Sequence, residues 1–516
     1  MSEKNTYARR SQRHKKESDT YETSDRLSEP ETPNLSDGKK QPKTPKKKAN
    51  YNKYIFTLFT ALILVIIATG GYIAYTLKQQ EAEAQAKYET ASKKMIASIQ
   101  KEQDQSGFST KIDTINDGEN KCLVYRPVDE SAIPIKNANQ LLTEVAKKQQ
   151  KKHREKEVLT VARIKAIAIS SKISQYKIEA DSFIWNRSKE EFSKPDSLSK
   201  KAIYVSEKTG KEITNKDLIP DEGSLLGIQQ VIQQSILDNA KEPEKIIDSV
   251  LTMDRISYDS KMTYTPDDLT IDLPKNSTGT TKITLKYKDI APYIDTELVS
   301  PESIKDALPT LDENKKYVAL TFDDGPNNSS TLDLLNILKA NNVKATFFML
   351  GQMVDQNPDV AKRVYEEGHE VASHSYSHPQ LPTLTTDELK SEINKTNKAI
   401  FKATGVLPRN IRPPYGAIDK KSAETIGMPI IQWNIDSQDW KSKNPGAINN
   451  VVKQNVFNGA IILIHDIHPE SVKAVPGLIT MLKNEGYEFV TIDQLLSGKQ
   501  KPLNQYFGMN DERLVE

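Results

Sequence analysis

One cysteine and three tryptophans in 516 residues set the first limits. Cys122 has no partner in the chain, so no intramolecular disulfide staples any part of it. That excludes a small disulfide-framed secreted domain, and with no His/Asn partner set Cys122 reads as a small buried apolar residue. An excess of charge of one sign is missing too: 72 Lys and Arg stand against 70 Asp and Glu, a net charge of +2. The balance hides a local bias, because residues 1–53 hold 14 basic and 8 acidic side chains, with seven lysines and no acid from Lys39 to Lys53. A basic arm of this kind serves nucleic acid or marks the cytoplasmic side of a membrane span.

The next segment decides between the two. Tyr54 to Leu77 contains no charged side chain and is long enough to cross a bilayer as a helix. Tyr51, Tyr54, Tyr72 and Tyr75 lie near its ends, as interfacial aromatics do. The run starts too far into the chain and is too long for a cleaved signal peptide. The expected order is a disordered basic cytoplasmic tail (1–53), a transmembrane helix (54–77) and a polar helical spacer (78–107). The N-terminus is expected in the cytoplasm and everything after Leu77 outside the cell, with the lipid bilayer as one partner and no nucleic acid.

Residues 108–200 mix a helical stretch with alternating strands and read as a small α+β region; residues 201–300 read as a second α+β module. The second module is similar to the extracellular domain of the RsiV anti-sigma factors in the stretches GKEITNKDLIPDE, DLTIDLPKN and DIAPY. It holds no metal or catalytic cluster and reads as a spacer or docking platform.

From 312 to 496 short apolar strands alternate with helical stretches, followed by a C-terminal tail over 497–516. Seven strand–helix units predict an α/β domain, a distorted (β/α) barrel with helices outside a parallel sheet. Active-site groups gather at strand C-terminal ends in such barrels. The conspicuous polar residues fall there: Asp323 and Asp324, His374 and His378, Arg412 and Tyr415, Asp436, Asp439 and Trp440, and His465. One such coincidence is an ordinary helix cap; five on one rim point to a site. Two histidines four apart, on a helix or a tight loop, can offer imidazoles to one metal, and a carboxylate from a neighbouring strand completes an open His₂Asp set. One aspartate of TFDDGP would then bind the cation and the other act as base toward water acidified by the ion. The competing reading of Asp-Asp-Gly-Pro is a plain turn. His369 reads as structural. His468 reads as a surface polar residue near the groove.

In order, TFDDGP, HSYSH, RPPYG, DSQDW and LIHDIH resemble the five motifs of the NodB-homology polysaccharide deacetylases, carbohydrate esterase family 4, over Lys315 to Leu496. With the span and the middle module, the chain resembles the membrane-anchored peptidoglycan N-acetylglucosamine deacetylases of that family. The resemblance implies hydrolysis of acetamido groups on glycan strands of peptidoglycan, with another N-acetylated extracellular polysaccharide, or a wall-binding or sensor role, as alternatives. It implies Asp323 as general base and Asp324, His374 and His378 as ligands of a divalent metal, Zn2+ or else Co2+ or another divalent ion. It further implies that Arg412 orients Asp323 and holds it ionised, that the Tyr415 N–H binds the oxyanion and that His465 is the general acid. Asp439 would keep His465 charged, and Trp440 and Leu463 would line the acetyl pocket.

Overall fold

The computed structural model describes residues 51–516 apart from 106–108, 118–119, 129–134, 154–156, 194, 201 and 208. The basic tail expected over 1–53 lies outside the described residues as far as Asn50.

One helix runs unbroken from Tyr51 to Asp104. Its apolar part has a mean hydropathy of 2.1 with none of that window buried, which is long and apolar enough to cross a membrane. The spacer, expected as a polar helix with apolar positions too sparse for a core, does contribute to one. Tyr88, Met95, Ile96, Ile99 and Gln103 form a helical stripe, and Ile99 and Gln103 are buried. Met95, Ile96 and Ile99 pack with Tyr125, Leu159, Val161 and Phe183, and the Tyr88 ring meets Trp185 and Phe192 at 5.9 and 5.8 Å. The stripe is narrow, so average polarity conceals it.

That stripe rests on an eight-stranded sheet centred on the antiparallel pair Val158–Ala168 and Ile173–Asn186, with the helix Lys136–Lys152 packed against it. Cys122 is fully buried here and burial pushes its thiol up to about 12, which leaves it unreactive. The strands Ile203–Ser206 and Glu212–Ile213, assigned from sequence to the second module, pair into this first sheet instead. The second module is the helices Glu222–Asp238 and Pro243–Leu251 over a three-stranded sheet of Met262–Tyr264, Asp268–Asp272 and Lys282–Lys286.

The remaining sheet is curled and largely parallel. Lys316–Asp323 is flanked by Thr346–Met349 on one side and Ala460–His465 on the other, with Glu370–Ser373 beyond Thr346–Met349. Isolated bridges from Ser373 to Ile411 and from Ile411 to Ile430 carry it onward. The strand expected in NIRPPYG thus shrinks to one bridging residue, and PIIQWNID breaks into Ile430–Ile431 and Ile435–Asp436. The stretch 497–516, expected as a tail, supplies the hairpin Asn504–Gly508 and Asp511–Leu514, whose first strand runs parallel to Ile430–Ile431.

Alternation along the strands sorts their side chains. Val318, Leu320 and Phe322 with Ile462 and Ile464 join the larger core, shared with Leu334, Leu338, Leu478 and Leu482 of the covering helices. Tyr317, Ala319 and Ile461 face the other way and pack with Phe348, Ala372 and Ile431. Above that inner apolar layer, on the same parity, come Thr321 and Asp323 from one strand and Leu463 and His465 from its neighbour. Strand register therefore sets Asp323 and His465 side by side at the strand ends.

Candidate active site

Arg412 is the anchor. It is wholly buried, and its donors reach Asp323 Oδ1 and Thr321 Oγ1 at 2.7 Å each, the Gln432 carbonyl at 2.9 Å and the Ile431 carbonyl at 3.2 Å. Its guanidinium carbon lies 4.1 Å from the centre of the Phe348 ring. Burial pushes the Asp323 carboxyl above the usual carboxylate range, and Arg412 opposes that rise. Arg412 thus favours the ionised carboxylate against the burial that opposes it. Asp323 Oδ2 lies 3.8 Å from His374 Nε2, beyond hydrogen-bond reach.

Asp324, His374 and His378 converge. Asp324 Oδ1 is 3.6 Å from the Nε2 of each histidine, and the three ligand atoms lie within 4.8 Å of one another. His374 Nδ1 is 2.7 Å from the Arg412 carbonyl, so it carries the proton and Nε2 keeps its lone pair toward Asp324. Burial pulls His374 down to about 3, which keeps it neutral. HSYSH is a tight loop, not a helix. Glu392 holds it from the helix Thr386–Thr404, accepting from the N–H groups of Tyr376 and Ser377 and from the Ser377 hydroxyl, each at 2.9 Å. Asp324 Oδ1 is buried and has no hydrogen-bond partner among the described residues. An orphaned carboxylate oxygen facing two imidazole nitrogens fits a divalent cation, whose charge would satisfy all three.

On the far side of Asp323, His465 Nδ1 meets Asp439 Oδ1 at 2.9 Å, while Asp439 Oδ2 accepts from the His465 N–H at 2.8 Å and the Ser471 hydroxyl at 2.6 Å. Burial disfavours the imidazolium, but the Asp439 carboxylate prevails and raises His465 to about 9. Asp439, wholly buried, is held below the usual range by those hydrogen bonds against the burial that opposes them. Tyr415 is exposed and its ring meets His378 edge-on at 4.6 Å. Trp440 is half exposed, and Leu463 is buried on the inward parity below His465. Asp324, His378 and Tyr415 have positive φ (75°, 64° and 61°), a strained backbone of the kind that functional sites retain.

Asp436 stands outside the cluster as a loop cap, its Oδ1 accepting from the Gln438 N–H at 2.8 Å. His369 is buried away from the rim, where its Nδ1 accepts from the Ala345 N–H at 3.2 Å and burial lowers it to about 4. The His468 ring lies 6.0 Å from that of His465. Sequence reasoning missed Thr321, Glu392, Ser471 and Asp466. Asp466 is wholly buried, accepts from Thr331 Oγ1 at 2.5 Å, and is raised to about 7 by burial. It sits where a Cβ on Gly325 would be, so the glycine of TFDDGP marked it indirectly.

Residues 310–430 match the family model described as polysaccharide deacetylase, and residues 74–306 match one described as the N-terminal domain of peptidoglycan GlcNAc deacetylases. The peptidoglycan-N-acetylglucosamine deacetylase PgdA of Listeria monocytogenes is 48% identical over 46% of this chain and 50% of its own length. The chain thus spans about half the length of that relative. A peptidoglycan-N-acetylglucosamine deacetylase of Bacillus cereus is 42% identical over 35% of this chain and 69% of its own length. Among solved structures, the peptidoglycan deacetylase PdaC of Bacillus subtilis is 42% identical over 36% of this chain and 92% of that one, with a TM-score of 0.35. By the family-model match and the Bacillus cereus relative, the chain belongs to the polysaccharide deacetylase family.

Proposed function

We propose that this protein is a membrane-anchored, metal-dependent hydrolase that removes acetyl groups from N-acetylglucosamine residues of peptidoglycan, releasing acetate and leaving free amines. The observation that carries the reading is the orphaned, buried Asp324 Oδ1 facing His374 and His378, with an Arg-held carboxylate on one side and a carboxylate-held imidazole on the other. The relatives named above support peptidoglycan as the substrate. In this reading the curled sheet is the distorted (β/α) barrel, residues 54–77 are the anchor, the N-terminus is cytoplasmic and the deacetylase domain acts outside the cell.

A divalent ion held by Asp324, His374 and His378, zinc in our reading with cobalt also suited to the ligand set, would supply a Lewis acid toward the acetamido carbonyl. Asp323 accepts a proton from the attacking water as its oxygen bonds to the carbonyl carbon. Arg412 fixes the direction of that carboxylate. The Tyr415 N–H donates to the oxygen that gains charge. His465, cationic through Asp439, gives its proton to the departing nitrogen as the C–N bond breaks, so the amine leaves neutral. Trp440 and Leu463 enclose the acetyl methyl.

The test is to incubate the full chain in detergent with zinc and purified, fully N-acetylated glycan strands, then measure acetate and new primary amines together. Equimolar release is expected. Silence on peptidoglycan with release from a different N-acetylated polysaccharide would move the substrate, and silence on all of them would overturn the reading.

A further inference from the structure

A cavity of 660 Å³ opens directly beside the rim, lined by Tyr415, Gly416, Trp433, Gln505, Phe507 and Arg513 among others. Two of its walls belong to the site loop and the others to the C-terminal hairpin and the segment it braces. Gly416 takes φ 67°, and a Cβ there would lie 3.1 Å from Gln432 Oε1 and 3.2 Å from Trp433 Cη2, so the loop lies flat on the tryptophan. Gln432 fixes that contact by donating from Nε2 to the Gly416 carbonyl at 3.0 Å. The Trp433 ring centre is 5.6 Å from the Arg412 guanidinium carbon, so one indole joins the buried anchor of Asp323 to this cavity.

The chemistry of the walls selects a ligand class. Trp433, Phe507 and Tyr415 contribute aromatic rings to the walls, and Tyr415 is 70% exposed. Arg513 lies 4.3 Å over the Phe507 ring and forks onto Asp511 through two hydrogen bonds of 2.7 Å. Its charge is matched, and the C-terminal Glu516 lines the cavity as well, so an anion gains nothing here. Gln505, across the hairpin from Arg513, supplies a neutral amide whose nitrogen has no partner among the described residues. Flat apolar faces with neutral hydrogen-bonding edges suit an uncharged pyranose ring.

We propose that this cavity is a glycan subsite that binds an uncharged sugar ring further along the strand whose acetamido group reacts, making the C-terminal hairpin a determinant of chain-length preference. The proposal rests on the deacetylase reading for the direction of the strand. It is tested by titrating the full chain in detergent with the linear β-1,4-linked N-acetylglucosamine pentamer and with the monomer. Tryptophan fluorescence reports binding, and acetate release is measured in parallel. The pentamer is expected to bind about tenfold more tightly than the monomer, the scale of one aromatic contact. Phe507→Ala is expected to remove most of that advantage and to raise KM on the pentamer far more than it changes kcat. Gln505→Ala, which keeps the aromatic floor, guards against misfolding and is expected to weaken the pentamer a few-fold with an unchanged thermal midpoint. Equal binding of pentamer and monomer by the parent, or parental pentamer binding by both variants, overturns the subsite. Length-dependent binding without acetate release upholds the subsite and sinks the deacetylase reading; acetate release with no length dependence does the reverse.

Discussion

Replacing Asp439 by Asn tests the acid half of the proposed chemistry through its pH dependence. His465 owes its charge chiefly to Asp439: burial alone would lower it, and Asp439, joined by Asp323 and Asp324, raises it to about 9 from an ordinary 6.5. That difference corresponds to about 3 kcal/mol of preference for the imidazolium, at 1.36 kcal/mol for each tenfold change. Without the Asp439 carboxylate its main support is gone, and burial should pull His465 from about 9 back toward the ordinary imidazole range. A return to the ordinary 6.5 would cut the protonated fraction about 75-fold at pH 8.5 but by less than about twofold at pH 6. Acetate release from pH 5.5 to 9.5 is the assay, with the ratio of parent to variant as the readout. A ratio that climbs steeply above pH 6.5 is expected. A ratio flat with pH, or a variant whose alkaline limb stays near 9, would refute the assignment of His465 as acid and Asp439 as its support.

The same pair makes a claim about stability, and its sign follows from the two shifts. His465 is raised, so its stabilisation is full below its ordinary pKa and is lost as pH rises through about 9. Asp439 is depressed, so its stabilisation is present above the ordinary carboxylate pKa and is lost as pH falls through its lowered value. The parent should therefore exceed the Asn variant in urea resistance most clearly between those limits, and the gap should narrow above pH 9.

Three further outcomes are expected. Asp323→Asn should lower acetate release by about 10²–10⁴-fold, the usual contribution of a general base, while metal stoichiometry measured by atomic absorption stays at one per chain. Glu392→Gln removes a carboxylate that holds three donors of the HSYSH loop, and should weaken metal affinity by about 10–100-fold in competition with a chromophoric chelator. Gly325→Ala drives a methyl into the buried Asp466 carboxylate and should cost about 1–3 kcal/mol in urea unfolding, a loss that Asp466→Ala in the same chain should partly restore.

Much of the site was legible because its residues obey local rules. Asp323, His374, Asp439 and His465 stand where apolar runs end, and parallel strands bring their ends to one rim whatever the loops do. Pieces that depend on distant packing were not legible. Ile411 makes only single bridges, so the segment that aims Arg412 carries almost no strand pattern. Asn504–Gly508 joins the sheet through a partner more than 70 residues earlier in the chain, and nothing local separates it from a tail. Glu392 is one of three acids on its helix, with Asp387 and Glu388, and nothing local singles it out. The boundary near residue 200 failed for the same reason, since Ile203–Ser206, besides its hairpin partner Glu212–Ile213, pairs with Ile173–Tyr176 and so belongs to the first sheet.

The paired aspartates depart from what strand alternation alone dictates. Strand alternation assigns Asp323 to the inner face with Thr321, and the same rule would aim the next side chain outward, toward the helices. Two adjacent carboxylates could not then share one site, and a plain Asp-Asp-Gly-Pro turn would be the sounder reading. A φ of 75° at Asp324 breaks the alternation and turns the second carboxylate back toward His374 and His378. That backbone is costly for a residue with a side chain, and it is held by packing on both sides: Arg412 grips the preceding residue, and Asp466 presses on the following glycine. The two acids therefore differ in environment although they are neighbours in sequence. One is tied to a guanidinium, and the other points a bare oxygen at two imidazoles. A base and a cation ligand need that division between them.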